Sequence, residues 1–320
     1  MDIWFYSIVI IIFSATLRLL PHFFAPNGVG VDHWFWKAYI EEYRKSKSFP
    51  PILPQFLLDI HQWYPPLFPL LIAKLPKILF EKYSHFLAII IDLMRLSLLM
   101  TAAYLITDRA NSVVAAGVTY SLTPILISNN SQLSPRGLGA LFLDATVLIL
   151  IWLIWHEGAF WGWGLVVLLS GLILLTHKMT TQLFWFASFV TGVVFLDWRL
   201  LILVPASILS ALILSRGFYI NVLKAHWDII KFWSENWQWM SAHQIKESPI
   251  YGIPDYITPT KYYRPGVKGL AQLFKFVIGF NPCAWTILFS SIWLYGLNSN
   301  LTTEDLWMIQ WLGFVLLFLV

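Results

Sequence analysis

The sequence is poor in charge and almost free of cysteine. Only 12% of its 320 residues are charged, whereas an average soluble domain has about 25%. Hydrophobic residues make up 58% and the mean hydropathy is +0.68, so part of the apolar surface must face lipid. The single cysteine, Cys283, excludes an internal disulfide and a thiolate-only metal site. The low charge and high hydropathy also exclude ordinary cytosolic, disordered and nucleic-acid-binding proteins, so no nucleic-acid partner is expected.

Several common catalytic motifs are also missing. The sequence has no GxSxG, HExxH, P-loop or CxxC pattern. What it has instead is aromatic residues, 17% of the chain with 18 Trp, which is typical of many helix ends at a membrane interface.

Apolar runs predict an all-α polytopic membrane protein with about nine transmembrane helices. The first run, residues 3–20, stops at Pro21 and has neither the basic start nor the cleavage site of a signal peptide. The other predicted spans are residues 85–107, 112–128, 137–155, 159–176, 180–196, 200–214, 282–297 and 306–320. We interpret residues 1–320 as one transmembrane domain. The chain stops inside an apolar run, so we expect it to be truncated at its C-terminus.

Two long inserts, about residues 21–83 and 215–281, interrupt the spans. The first insert contains a predicted amphipathic helix at 33–45. Its stretch 67–80 is too short and too basic for a span and suits a helix at the membrane surface.

The order of the connections predicts that polar chemistry is concentrated at one membrane face. Both inserts and the connections 129–136 and 177–179 must lie on the same side, and that side carries most charges, histidines and prolines. The opposite side has only short turns. The positive-inside rule leaves the orientation open, because short loops on the two sides are equally basic.

Two cations on the polar side lie at predicted helix starts. In Ser134-Pro135-Arg136, serine is a good N-cap and proline suits the first turn, so Arg136 marks the start of a helix. Lys178, after His177, lies just before the span 180–196. Helix N-termini and cations favour anions, so a phosphate site is predicted, and the alternative is interfacial anchoring.

Acidic residues and histidines of the first insert are the other candidates. Asp32 follows two glycines and is either the N-cap of the next helix or a carboxylate able to accept a proton. Asp59 and His61, with Asp32 and His33, could form a mixed divalent-metal site, but their spacing matches no specific signature and a polar surface loop is the favoured interpretation.

Three charged residues lie within predicted spans. Asp92 and Arg95, at positions i and i+3, are expected to neutralise each other on one helix face. Asp144 lies deeper than Arg136 and is expected to bond a neighbouring helix or to function directly.

Four strings give the chain a family resemblance over about residues 1–182. They are residues 30–36 (GVDHWFW), 62–69 (QWYPPLFP), 133–139 (LSPRGLG) and 175–182 (LTHKMTTQ). With the topology, they resemble GT-C fold glycosyltransferases of the protein mannosyltransferase and aminoarabinose transferase group. These polytopic enzymes take a sugar from a polyprenyl-phosphate donor, and an acidic residue near the start of a long first extracytoplasmic loop is catalytic.

The resemblance implies a role for each candidate. Asp32 would be the general base, Arg136, Lys178 and His177 would hold the donor phosphate, and the polar side would be extracytoplasmic, in a prokaryotic plasma membrane. Acceptor or sugar contacts would come from His33, Asp59, His61, Tyr263 and Arg264. The acceptor stays open, since Asp32 has no second acidic neighbour such as the Asp-Glu pair of protein O-mannosyltransferases. The reaction would either need no cofactor or require a divalent cation such as Mg²⁺ or Mn²⁺.

Two other functions remain open at the level of sequence. A transporter or flippase for a lipid-linked or anionic solute would line a path with Arg136, Lys178 and Asp144. A non-catalytic scaffold would use its Trp-rich surface to pack against membrane partners.

Overall fold

The computed structural model describes residues 3–24, 30–56, 58–155, 160–194, 196–236 and 266–272. The chain divides into two compact units, Met1–Ala225 and His226–Val320. Unit 1 contains all the helices that carry the candidate site. In unit 2 the described residues are 226–236 and 266–272, so Tyr263, Arg264 and the predicted spans 282–297 and 306–320 lie outside the described part of the chain.

The described residues are mostly helical. In chain order the elements are α1 (Ile3–Phe24), α2 (Val31–Ser46), β1 (Ile52–Leu53), a 3-10 turn (Pro54–Phe56), β2 (Leu58–His61), α3 (Leu67–Ala73), α4 (Lys77–Thr107), α5 (Ala110–Leu122), α6 (Pro124–Asn130), α7 (Arg136–Trp155), α8 (Phe160–Leu174), α9 (Lys178–Val194), α10 (Trp198–Leu214) and α11 (Tyr219–Asn236).

Three of these helices are long and apolar enough to cross a membrane. They are α1, α4 and residues Arg136–Leu153 of α7, while α8 and α10 are apolar but shorter. This much of the predicted membrane architecture is confirmed, and it indicates that the protein associates with a membrane.

The structure departs from the sequence prediction in four places. The first helix continues through Pro21 to Phe24, although proline at this position removes one backbone hydrogen bond. The predicted span 112–128 is divided into α5 and α6, with the break immediately before Pro124. Residues 77–80 belong to α4 rather than to a surface helix. The first insert also contains a short antiparallel hairpin, in which β1 pairs with β2, so the chain is not entirely helical.

The charged residues within the helices pair differently from the prediction. Asp92 and Arg95 do not neutralise each other: Asp92 forms a fully buried ion pair with Arg18 of α1, and Arg95 Nε lies 2.8 Å from Asp144 Oδ2 of α7. The two residues face different neighbouring helices, and each buried charge needs a partner of opposite sign.

Further hydrogen bonds complete the buried pair between α1 and α4. Asp92 accepts from the Tyr120 hydroxyl at 2.6 Å and from the amide of Asn130, and Arg18 Nη1 donates to the Ser121 carbonyl at 3.0 Å. The Tyr120 ring also lies near the guanidinium groups of Arg18 and Arg95, at 5.5 and 5.8 Å from its centroid. This network joins α1, α4, α5 and α6 into one group.

Candidate functional site

The predicted polar connections meet at one end of the helices. The backbone N–H of Leu67 donates to the carbonyl of Leu175 at 2.8 Å, which ties the first insert to the turn between α8 and α9. His22, in the last turn of α1, has its Nε2 2.7 Å from the carbonyl of Ser131 in the connection before α7. The first insert therefore contacts the connection before α7 and the turn before α9, two of the connections that were predicted to share its side.

Asp32 is placed by the start of α2. The N-cap is Gly30, so Asp32 is the second helical residue and does not cap the helix. Gly30 has a φ of +80°, and a Cβ there would lie 2.1 Å from Oε1 of Gln132. The positive φ favours glycine at this position, and a larger residue would also have to displace the end of the Gln132 side chain next to the start of α2.

Arg136 is placed by the start of α7 and meets Asp32. Its backbone N–H donates to Ser134 Oγ at 3.3 Å, in agreement with the predicted capping role of serine. Its Nη2 lies 3.3 Å from Asp32 Oδ2, and the two side chains remain 36% and 43% exposed. The contact engages one of five guanidinium N–H donors, and the partial exposure leaves the pair accessible to a ligand.

Lys178 begins α9, ahead of the predicted span, and lies over an aromatic ring. Its Nζ is 4.6 Å from the centroid of Tyr64, a favourable cation–π distance. Burial lowers the pKa of Lys178 to about 8. The pKa of Tyr64 is raised, first by burial and second by the negative charge of Asp32. Tyr64 therefore lies within electrostatic reach of Asp32 and in contact with Lys178.

His177 lies in the turn that precedes α9. Its Nδ1 is 2.9 Å from Thr180 Oγ1 and accepts from the backbone N–H of Thr180 at 3.4 Å. Since a backbone N–H can only donate, the proton of the neutral ring is on Nε2. Burial first, and the positive charge of Arg136 second, lower the pKa of His177 to about 4. His177 is a neutral hydrogen-bonding group at pH 7, close to Arg136.

The first turns of α7 and α9 are brought together by a glycine. A Cβ on Gly139 would lie 3.0 Å from both the Cβ of His177 and the Oγ1 of Thr180. A side chain at position 139 would therefore require the start of α9 to shift by a few tenths of an ångström from the start of α7.

An aromatic group in the first insert supports Tyr64. The hydroxyl of Tyr39 donates to the carbonyl of Gln62 at 2.9 Å, and the ring of Trp36 packs edge-on against Tyr64 at 5.2 Å. Tyr39 and Trp36 are both buried. These two buried side chains pack against the segment before α3 and hold the Tyr64 ring in contact with Lys178.

His33 and His61, two of the other predicted contacts, have different immediate surroundings in the described residues. His33 is 4% exposed, and burial, followed by the charges of Lys37 and His22, lowers its pKa to about 4. His61 Nδ1 lies 2.7 Å from the carbonyl of Pro50 in the hairpin, and Asp59 belongs to β2. In the described part of the chain, no group of three or more His, Cys, Asp or Glu side chains could hold a metal ion.

Two features of this end were missed from the sequence. For Tyr64, the only signal in the sequence is its position in residues 62–69, one of the four strings that carry the family resemblance. The rings of His22 and His85 stack with centroids 4.1 Å apart, a contact between α1 and α4 that no local pattern indicated.

Comparison of the chain with protein-family models, with curated proteins and with solved structures finds no match.

Proposed function

We propose that the protein is a membrane glycosyltransferase that moves a sugar from a polyprenyl-phosphate donor to an acceptor at the extracytoplasmic face. The single observation that carries the proposal is the contact of 3.3 Å between the partly exposed Asp32 and Arg136. It puts a potential proton acceptor beside a potential phosphate ligand at one end of the helices. The family resemblance of residues 1–182 gives this pair its proposed roles.

The proposed reaction divides two tasks between the paired residues. Asp32 accepts the proton of the acceptor hydroxyl or amine while that group attacks the anomeric carbon of the sugar. The bond from the anomeric carbon to the phosphate oxygen breaks, and the electron pair leaves with the polyprenyl phosphate. Arg136 stabilises the negative charge that grows on this leaving group, and fixed charges of this kind supply much of the catalysis in transfer reactions.

Lys178 and His177 would complete the phosphate site. Lys178 remains mostly protonated at pH 7, because its pKa is about 8, and adds a second cation at a neighbouring helix start. Neutral His177 offers its Nε2–H as a hydrogen-bond donor, since Nδ1 is occupied by Thr180. The close packing of α7 and α9 at Gly139 keeps these donors together.

The test is Asp32→Asn in membranes supplied with a labelled polyprenyl-phosphate sugar, with and without Mg²⁺ or Mn²⁺. Loss of a general base lowers the rate by about 10²–10⁴-fold, whereas donor binding should remain. Asp197→Asn is the matched control, because Asp197 pairs with Arg199 at 2.8 Å in the connection between α9 and α10, away from the site. Unchanged transfer by Asp32→Asn would exclude Asp32 as the base.

A transporter or flippase is the second candidate, and one observation favours it. The buried pair Arg18–Asp92 and the pair Arg95–Asp144 place charge within candidate membrane helices, where ionisable groups commonly serve transport. Each charge has a partner of opposite sign, which also suits a purely structural role. Movement of labelled lipid-linked sugar across proteoliposomes, without transfer to any acceptor, would support the transporter.

A further inference from the structure

Helix α4 is longer than a membrane requires. Its 31 residues extend for about 46 Å, whereas the hydrocarbon core of a bilayer is about 30 Å thick. About ten residues of the helix must therefore lie outside the hydrocarbon, provided that the helix is not strongly tilted.

Exposed side chains on α4 indicate which end protrudes. Tyr83 and Tyr104 are 48% and 41% exposed and lie 21 residues apart, about 32 Å along a helix. Tyrosines favour the two interfaces of a bilayer, and this spacing matches the thickness of the hydrocarbon core. Four of the exposed residues between them are apolar, namely Phe86, Ile90, Met94 and Leu99, and Thr101 satisfies its hydroxyl by donating to the Ser97 carbonyl at 2.8 Å. The protruding part is therefore the N-terminal end, residues 77–82.

This protruding end is basic. Lys77 is 80% exposed, and Lys82 is also exposed, as is Lys74 at the end of α3. Glu81 lies 3.7 Å from Lys77, but an exposed pair of this kind contributes little and leaves the group with a net positive charge. Exposed apolar side chains, Ile78 and Leu79, lie between the lysines.

The end of α2 adds two more lysines to the same corner. Arg44 Nη2 donates to the carbonyls of Leu75 and Ile72 at 2.6 and 3.2 Å, and its guanidinium lies 4.4 Å from the Phe80 ring centroid. Arg44 thus fixes the last turn of α2 to the connection between α3 and α4. Lys45 and Lys47 follow Arg44 in the sequence, and both are exposed.

We propose that Lys45, Lys47, Lys74, Lys77 and Lys82, here called the basic corner, bind the headgroups of anionic phospholipids. The tyrosine spacing puts the basic corner at headgroup depth, and its charge is complementary to a phosphate diester. The interleaved Ile78 and Leu79 suit the boundary between headgroups and acyl chains, where lysine stems bury their methylenes. This surface is separate from Asp32 and Arg136, so it does not depend on the proposed transferase activity.

The experiment compares two lipids on the full chain in neutral detergent at low salt. Native mass spectrometry would give the relative affinity for dioleoyl phosphatidylglycerol over dioleoyl phosphatidylcholine. Each lysine near an anionic surface contributes roughly a fivefold preference. We therefore expect Lys74→Gln/Lys77→Gln/Lys82→Gln to reduce the preference for phosphatidylglycerol between about tenfold and a hundredfold.

Two variants make the result specific. The triple variant Lys→Arg at the same positions should keep the preference, because it keeps the charge. Lys224→Gln/Lys231→Gln/Lys268→Gln removes three exposed lysines that are not members of the basic corner and should also keep it. A melting temperature in phosphatidylcholine near that of the wild-type protein shows that each variant is folded.

Three outcomes would overturn the proposal. The first is equal binding of the two lipids by the wild-type protein, and the second is an equal loss of preference in the control at positions 224, 231 and 268. The third is complete displacement of phosphatidylglycerol by low millimolar inorganic phosphate, which would indicate a site for free phosphate rather than for a lipid surface.

Discussion

The guanidinium of Arg136 lies 3.3 Å from the carboxylate of Asp32, although 104 residues separate them in the chain. Asp32 is held by Gly30 at the start of α2, and Arg136 is held by Ser134 at the start of α7. The starts of two helices that are far apart in the sequence therefore meet at one contact. A substitution at either start should change the geometry of the Asp32–Arg136 pair.

Arg136→Ala should weaken donor binding more than it disturbs the fold. A hydrogen bond to a charged partner is worth about 1.5–3 kcal/mol, so the affinity for a polyprenyl-phosphate sugar should fall roughly tenfold to a hundredfold. Binding of labelled donor to the purified protein measures this. Arg199→Ala, which removes a partly exposed arginine from its contact with Asp197, is the control and should bind the donor normally. Wild-type affinity in Arg136→Ala would contradict the phosphate site.

Gly30→Ala should displace Asp32 by a combination of strain and overlap. Gly30 has φ +80° and ψ 158°, a backbone region essentially limited to glycine that costs another residue about 1–3 kcal/mol, and the new Cβ would also displace the end of the Gln132 side chain. Gly217→Ala is a control for positive φ without overlap, since Gly217 has a φ of +84° but no atom within 4 Å of an added Cβ. We expect Gly30→Ala to lower the melting temperature more than Gly217→Ala does.

A second substitution separates overlap from strain at Gly30. Gln132→Ala removes the colliding amide, so the double variant Gly30→Ala/Gln132→Ala should regain part of the lost stability and donor transfer. If the double variant is no better than Gly30→Ala alone, the close approach to Gln132 does not position Asp32.

Lys178 gives the donor site an expected dependence on alkaline pH. Burial lowers its pKa from the ordinary 10.5 to about 8, so the cation is present below pH 8 and is lost as the pH rises through that value. Donor affinity should therefore decline between about pH 7 and pH 9. Lys178→Arg keeps its charge throughout this range, because arginine stays protonated, and its affinity should remain flat. Titrations of donor binding at several pH values measure both curves, and an identical decline in the two proteins would exclude Lys178 as the titrating group.

The sequence predicted the helix starts at this site better than the contacts between them. Ser134, Pro135 and Arg136 form a local signal for the start of a helix, and α7 begins at Arg136 as expected. The shared side of the connections followed from counting apolar runs. Such local and topological signals can be recognised without knowledge of packing, because they depend on a few neighbouring residues and on chain order.

The contacts that were missed depend on how each helix is rotated about its axis. The stacking of His22 on His85 and the position of Tyr64 beneath Lys178 join residues far apart in sequence. The expected pairing of Asp92 with Arg95 failed for the same reason: spacing within one helix does not reveal which neighbour each side chain faces. Arg18, inside the first predicted span, received no role from the sequence, although it is fully buried as the partner of Asp92.

Asp92→Asn should destabilise the protein strongly without touching the candidate site. It would leave the guanidinium of Arg18 buried without a counter-charge, and breaking one side of a buried ion pair typically costs about 3–5 kcal/mol. Asp144→Asn should cost less, because the Arg95–Asp144 pair is only partly buried and the ring of Tyr120 remains beside the guanidinium of Arg95. Melting temperatures in detergent would rank the two variants.

The replacement of both partners, Arg18→Met/Asp92→Leu, removes the charge imbalance and should recover much of the stability lost in Asp92→Asn, even though Tyr120 and Asn130 then lose their acceptor. If Asp92→Asn melts no lower than Asp144→Asn, the buried pair does not hold α1 against α4.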